Sequence, residues 1–149
     1  MTTGLVILLA VHLAATAAMT GLIWFVQVVH YPLFDLVGQA QFVGYEAAHT
    51  RLTAWVVGPF MAVEGVSALL ILAMPGEDLG RLLPLVALGV LGVVHASTVL
   101  LQVPMHRALS LAYDRARTRR LVTTNWIRTA GWSVRSVLAA AMLVVANNP

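Results

Sequence analysis

Four apolar stretches dominate this chain, at about residues 4–31, 52–74, 82–105 and 123–146. Each supplies the ~20 residues that an α-helix needs to cross a ~30 Å hydrocarbon core. With no water there to satisfy free backbone groups, such segments must be helical. A composition of 60% hydrophobic and 10% charged residues, with a mean hydropathy of +0.86, lies far from that of soluble domains. The expected fold is therefore an all-α membrane protein. It is one integral membrane domain over residues 1–149, a four-transmembrane-helix antiparallel bundle with an amphipathic interfacial segment after the first helix.

Proline and charge punctuate that layout. Pro32 is expected to close the first span, because its ring and missing N–H oppose helix continuation. Pro75-Gly76-Glu77-Asp78 forms a tight turn that folds the second and third spans into a hairpin. Residues 34–51 are too polar to span yet carry Phe34, Val37, Phe42 and Tyr45, which places them as an interfacial helix or ordered loop. The segment 106–120 bears Arg107, Arg115, Arg117, Arg119 and Arg120 against Asp114 alone, so the positive-inside rule puts it in the cytoplasm. Parity then puts both termini outside a bacterial cytoplasmic (inner) membrane. The small-residue run AATAAM has no basic residues before it, and the first span is read as retained.

All nine basic residues are arginine, and their clustering near one loop explains the net charge of +3 as membrane orientation. No nucleic-acid partner is expected. The absence of cysteine excludes disulfides, thiolate metal sites and paired-cysteine redox chemistry. Redox chemistry here requires a bound cofactor or metal, of unknown identity, with a metal ion or haem as the candidates. The expected partners are membrane lipid and a lipophilic small molecule, and a homo-oligomer stays open.

The polar residues inside the spans locate a site. Thr20, Trp24, Gln27 and Tyr31 share one face of the first helix, with His30 beside them and His12 and Thr16 above. Counting at ~1.5 Å per residue, Gln27, His30, Gln102, His106, Asn125 and Arg128 all fall near the arginine-rich end, level with Glu46 and His49. Glu64, His95 and Arg135 form a deeper layer near the midplane. An ionisable group there costs at least ~2.5 kcal/mol on insertion scales, so these three are expected to face inward, with Glu64 paired to Arg135. That pair serves equally as a packing clamp. Arg128 equally snorkels to headgroups, and Tyr31, Trp55 and Trp126 sit where interfacial aromatic belts sit.

Glu46 and His49 have the i, i+3 spacing of a di-iron ligand pair, but the chain holds too few further carboxylates for a ferritin-type centre. A mononuclear or copper site needs only imidazoles, which His30, His49 and His106 supply, with Glu46 as a further ligand. Haem needs one axial histidine, or two from facing helices. Helix-end histidines that only bind water are the plain alternative. A faint echo between Gln27-Val-Val-His30-Tyr-Pro and Gln102-Val-Pro-Met-His106 suggests a duplicated hairpin.

At Trp24 to Phe34 (WFVQVVHYPLF) and Asn125 to Leu143 (NWIRTAGWSVRSVLAAAML) the chain resembles small bacterial four-helix membrane proteins of the anthrone oxygenase-like family of unknown-function domains. In that family the fourth helix also opens with an Asn/Trp/Arg turn, here Asn125, Trp126 and Arg128. The resemblance implies oxidation of flat polycyclic substrates by some members. More distantly the chain is similar to the four-helix haem-binding protoporphyrinogen oxidases, with His12 and His30 at the matching places. It departs from them in having no lysine and no Pro-Arg pair after the first-helix glycine.

These readings converge on an oxidoreductase, in its sharpest form an oxygenase, acting on a flat lipophilic substrate at the cytoplasmic half of the bundle. His30, His106 and Arg128 are the expected catalytic groups, since imidazoles of pKa ~6.5 suit proton transfer near neutral pH and an arginine stabilises developing negative charge. Trp24, Gln27, Tyr31, Gln102, Asn125 and Trp132 are the expected substrate contacts. The competing functions are binding or transport of a small solute, anion or proton along the polar stripe, and a structural subunit of a membrane complex.

Overall fold

In the computed structural model, which describes residues 2–147, four long helices follow one another with alternating direction and pack as a bundle. They span Thr3–Leu36, Gln39–Ala73, Leu82–Leu109 and Arg115–Asn147, and all four are long and apolar enough to cross a membrane. Their outer faces leave Phe25, Leu52, Trp55, Leu69, Leu100 and Val137 exposed. So broad an apolar surface is unsuited to water and suited to acyl chains. The chain is a multi-pass, membrane-type bundle.

The helices end where local chemistry dictates. The Thr2 hydroxyl accepts from the Leu5 N–H at the start of the first helix, and Asp114 Oδ1 accepts from the Arg117 N–H (3.1 Å) at the start of the fourth. Between the second and third helices the turn after Pro75 uses Gly76 (φ +75°) and Gly80 (φ +61°), left-handed positions that favour glycine. The first helix packs on the second and fourth, and the third on the fourth. The second and third, although joined by that turn, touch each other less than these neighbouring pairs do.

Three expectations change. Pro32 does not close the first helix, which runs on to Leu36, and Pro104 likewise lies within the third. The amphipathic segment is no separate element: from Gln39 it is helical and continuous with the second span. The arginine-rich connection is also shorter than expected, because helix occupies residues up to Leu109 and resumes at Arg115.

The first and third helices tolerate their prolines by the same device. Val26–His30 and Thr98–Gln102 are π-helical turns, closed by Tyr31 N–H to Val26 C=O and by Val103 N–H to Thr98 C=O. Each proline is the second residue after its turn. A regular helix would press the proline ring against the carbonyl four residues back, and the widened turn moves that carbonyl away. The turn also corrects phase. Buried Met19, Ile23, Gln27 and Tyr31 are spaced by four, and each such step drifts ~40° on a regular helix. The π-turn takes up that drift and keeps all four inward. The structural repeat therefore matches His30 to Gln102, each the last residue of its turn, rather than aligning the two glutamines.

A polar layer ties all four helices together at mid-bundle. Arg135 Nε donates to Glu64 Oε1 at 2.6 Å, both side chains being fully buried, and Thr16 Oγ1 donates to the same oxygen at 3.0 Å. Arg135 also donates to the Ala87 carbonyl of the third helix and to His12 Nε2 (3.1 Å). Because Nε2 accepts from a guanidinium, His12 is neutral with its proton on Nδ1, which donates to Ser67 Oγ at 2.7 Å. Ser67 in turn donates to the Glu64 carbonyl (3.1 Å).

His95 is not part of this layer. It is half-buried, its Nδ1 bonded to Leu91 C=O of its own helix (3.0 Å) and its ring 6.4 Å from that of Trp132. Ala87, Leu91 and Val94 define the inner face of the third helix, and residue 95 lies ~100° round from Val94. At the same level Gly131 lets the fourth helix approach the third so closely that a Cβ there would collide with the Val94 side chain.

Candidate metal and ligand site

Toward the arginine-rich end, the extension of the second helix carries Glu46 and His49 on one face, three residues apart, against the ends of the first and third helices. Glu46 is completely buried, and its Oε1 accepts a short hydrogen bond from His106 Nδ1. The other ring nitrogen of His106 lies 3.1 Å from the Tyr31 hydroxyl. His49 Nδ1 lies 2.8 Å from His30 Nε2 and 3.2 Å from Thr53 Oγ1. Three imidazoles thus stand side by side, with ring centroids 4.5 Å apart for His30–His49 and 5.4 Å for His49–His106. Buried Phe34 meets both His30 and His49 edge-on and restrains their ring planes.

Within this cluster, one ligand atom from each of Glu46, His49 and His106 lies within 4.8 Å of the others, so the three can converge on a single cation. Glu46 Oε2 is buried with no hydrogen-bond partner. A free carboxylate oxygen held out of water among imidazoles costs energy that a cation would recover. His30 stands behind His49 and can fix its tautomer, as Tyr31 can for His106.

Beside this cluster a cavity of about 610 Å³ runs into the bundle. Met19, Leu22, Ile23 and Val26 of the first helix and Val57 and Met61 of the second form its apolar wall. Tyr31, His49, Gln102, His106 and Arg128 close its polar end. Exposed Val103 of the third helix and Leu111 of the connection after it also line it, so the cavity reaches the bundle surface beside the arginine-rich end of the third helix.

A second network holds Arg128 at that polar end. Asn125 Nδ2 donates to Gln27 Oε1 at 2.8 Å, Arg128 donates to Asn125 Oδ1 at 3.0 Å, and Gln27 Nε2 donates to the Val122 carbonyl at 3.3 Å. Gln102 Nε2 donates to Thr124 Oγ1 (2.9 Å), tying the π-turn of the third helix to the fourth. All of these but the Arg128–Asn125 bond, which lies within the fourth helix, bridge helices behind the cavity.

Of the residues singled out in the sequence, Tyr31, His49, Gln102, His106 and Arg128 line the cavity. His30 and Glu46 stand directly behind, through His49 and His106. Gln27 and Asn125 are a step further back, holding Arg128. Trp24 lies elsewhere: it is 43% exposed, donates to Ser133 Oγ (3.0 Å) and stacks edge-on with Trp126 on the outer surface. Trp132 is fully buried among Met19, Ile23, Leu91 and Val94 and does not itself line the cavity.

His12 and His30, which the haem resemblance pairs, occupy separate layers with hydrogen-bonded rings, and neither lines the cavity. The residues present do not fit an axial pair for haem. The apolar wall was missed in the sequence, as were His12 and Ser67 as partners of Glu64 and Arg135. The four-residue spacing of His12 and Thr16 was the available signal. Comparison with family models, curated proteins and solved structures finds no match to this chain.

Proposed function

We propose that this protein is a membrane-embedded, metal-dependent oxidoreductase that draws a lipophilic substrate from the bilayer into the cavity between its second and third helices. The observation that carries this reading is the convergence of Glu46, His49 and His106 within 4.8 Å at the polar end of that cavity. Two imidazoles and one carboxylate leave coordination positions open, and on ferrous iron this donor set supplies oxygenase chemistry. The rest falls to the chain's own residues. Arg128 and Gln102 orient the polar end of the substrate, the Met19-to-Met61 wall excludes water, and Tyr31 and His30 hold the ligand tautomers through His106 and His49. The resemblance at Trp24 to Phe34 to the anthrone oxygenase-like family points the same way.

In this reading the arginine-rich connection faces the cytoplasm and both termini face outward. The deciding experiment is elemental analysis of the purified protein beside Glu46→Gln, His49→Ala and His106→Ala. About one equivalent of transition metal, lost in each variant, supports the centre. Folded protein that takes up no metal from iron, zinc or copper salts defeats it.

A further inference from the structure

Arg128 is 91% buried by its 9% exposure, lines the cavity and has no acidic partner. Among the described residues the ion pairs are His106–Glu46, Arg117–Asp114 and Arg135–Glu64, and none involves Arg128 or Arg107, which also lines the cavity. Arg128 spends one N–H on Asn125 and has the neutral Tyr31 hydroxyl as a further hydrogen-bond partner, while its Nε is buried with no partner. The carboxylate at this level, Glu46, meets His106 through Oε1, turns its free Oε2 to the imidazole cluster and makes no ion pair with Arg128. The polar end of the cavity therefore carries uncompensated positive charge.

An arginine withdrawn from water without a counter-ion is costly, and the deeper Arg135 shows how this fold otherwise meets that cost, with a buried carboxylate at 2.6 Å. At Arg128 the carboxylate has to come from outside the chain. The remainder of the cavity is walled by Met19, Ile23, Val57 and Met61, so an occupant that meets Arg128 has to be apolar behind an anionic head. A volume of about 610 Å³ exceeds what an inorganic anion needs and is of the size that holds small organic ligands.

We infer that the cavity binds a carboxylate-headed lipophile, a single-chain fatty acid, with its carboxylate on the Arg128 guanidinium and its chain along the Met19–Met61 wall. This names the substrate class of the site described above and rests on that reading for catalysis, while binding itself requires no metal.

The test is equilibrium binding of radiolabelled palmitate to the purified full-length protein in a neutral maltoside detergent, with metal content measured on the same sample. Palmitate should bind about tenfold or more tightly than 1-hexadecanol, which has the chain without the charge. Arg128→Gln should erase that preference and Arg128→Lys should keep most of it, while Met61→Trp should weaken palmitate and hexadecanol together. Equal affinity for palmitate and hexadecanol overturns the inference, as does palmitate affinity unaltered in a folded Arg128→Gln protein. Displacement by dioleoylphosphatidylglycerol as effective as by unlabelled palmitate also overturns it, by making the site one for phospholipid headgroups. Should Arg128→Gln fail to fold, the two-probe comparison on the unaltered protein and on Met61→Trp still decides. Palmitate preference without metal would leave this inference standing and remove the metal-dependent function. Metal without palmitate preference would do the reverse.

Discussion

Arg135 and Glu64 meet at 2.6 Å in the middle of the bundle, and neither side chain has any exposure. The guanidinium also reaches His12 and the Ala87 carbonyl, so one arginine touches the other three helices. Removing either charge leaves the other buried alone. Glu64→Gln and Arg135→Gln should each destabilise the fold by ~3 to 5 kcal/mol, and the double variant should be milder than the sum. Unfolding in mixed micelles measures this, and strictly additive losses would show that the two groups do not act as a pair.

His30 contacts His49 Nδ1 and does not line the cavity, so it should act through its neighbour. In metal titrations His30→Ala should weaken affinity ~10- to 100-fold, whereas His49→Ala should abolish the site. A His30→Ala protein with unaltered affinity would remove its supporting role. If instead it loses the metal as fully as His49→Ala, His30 is itself a ligand.

The π-turn at Thr98–Gln102 sets the rotation of everything after it on the third helix, His106 included. Pro104→Ala restores an N–H and lets the turn tighten to a regular helix, which would swing His106 by roughly 100°. Metal occupancy should fall sharply while thermal stability changes little. An unaltered occupancy would mean that packing, rather than the proline, holds the wide turn.

Gly131 and Val94 set the separation of the third and fourth helices. Gly131→Ala should cost ~1 to 3 kcal/mol by forcing these helices apart, despite alanine's better helix propensity. Val94→Ala in the same chain should recover part of the loss. A stabilising Gly131→Ala would show that the helices have room to give.

Topology is checked by placing single cysteines at Ser110 and Glu77 in this cysteine-free chain and labelling from each side of the membrane. Ser110 should react from the cytoplasmic side and Glu77 from the other. The opposite pattern would reverse the orientation without altering the bundle.

What the sequence determined by itself was the span count and the level of each polar group. The hydrocarbon core demands ~20 apolar residues per helix, and helical rise converts position into depth. Glu64 and Arg135 could therefore be matched across the bundle, and Glu46, His49 and His106 placed at one end. Only the tertiary structure decided direction around each helix axis. Sequence periodicity assumes ~3.6 residues per turn, and two π-turns break that assumption where the site lies. Hence Gln27 and Tyr31 stay inward with Met19 and Ile23, while Trp24 meets the outer surface. In the regular stretches before those turns, packing alone decided that His12 rather than His95 completes the mid-bundle layer. The cavity itself was equally unreadable, because Pro75 joins the second and third helices in sequence while side-chain packing alone determines how closely they approach.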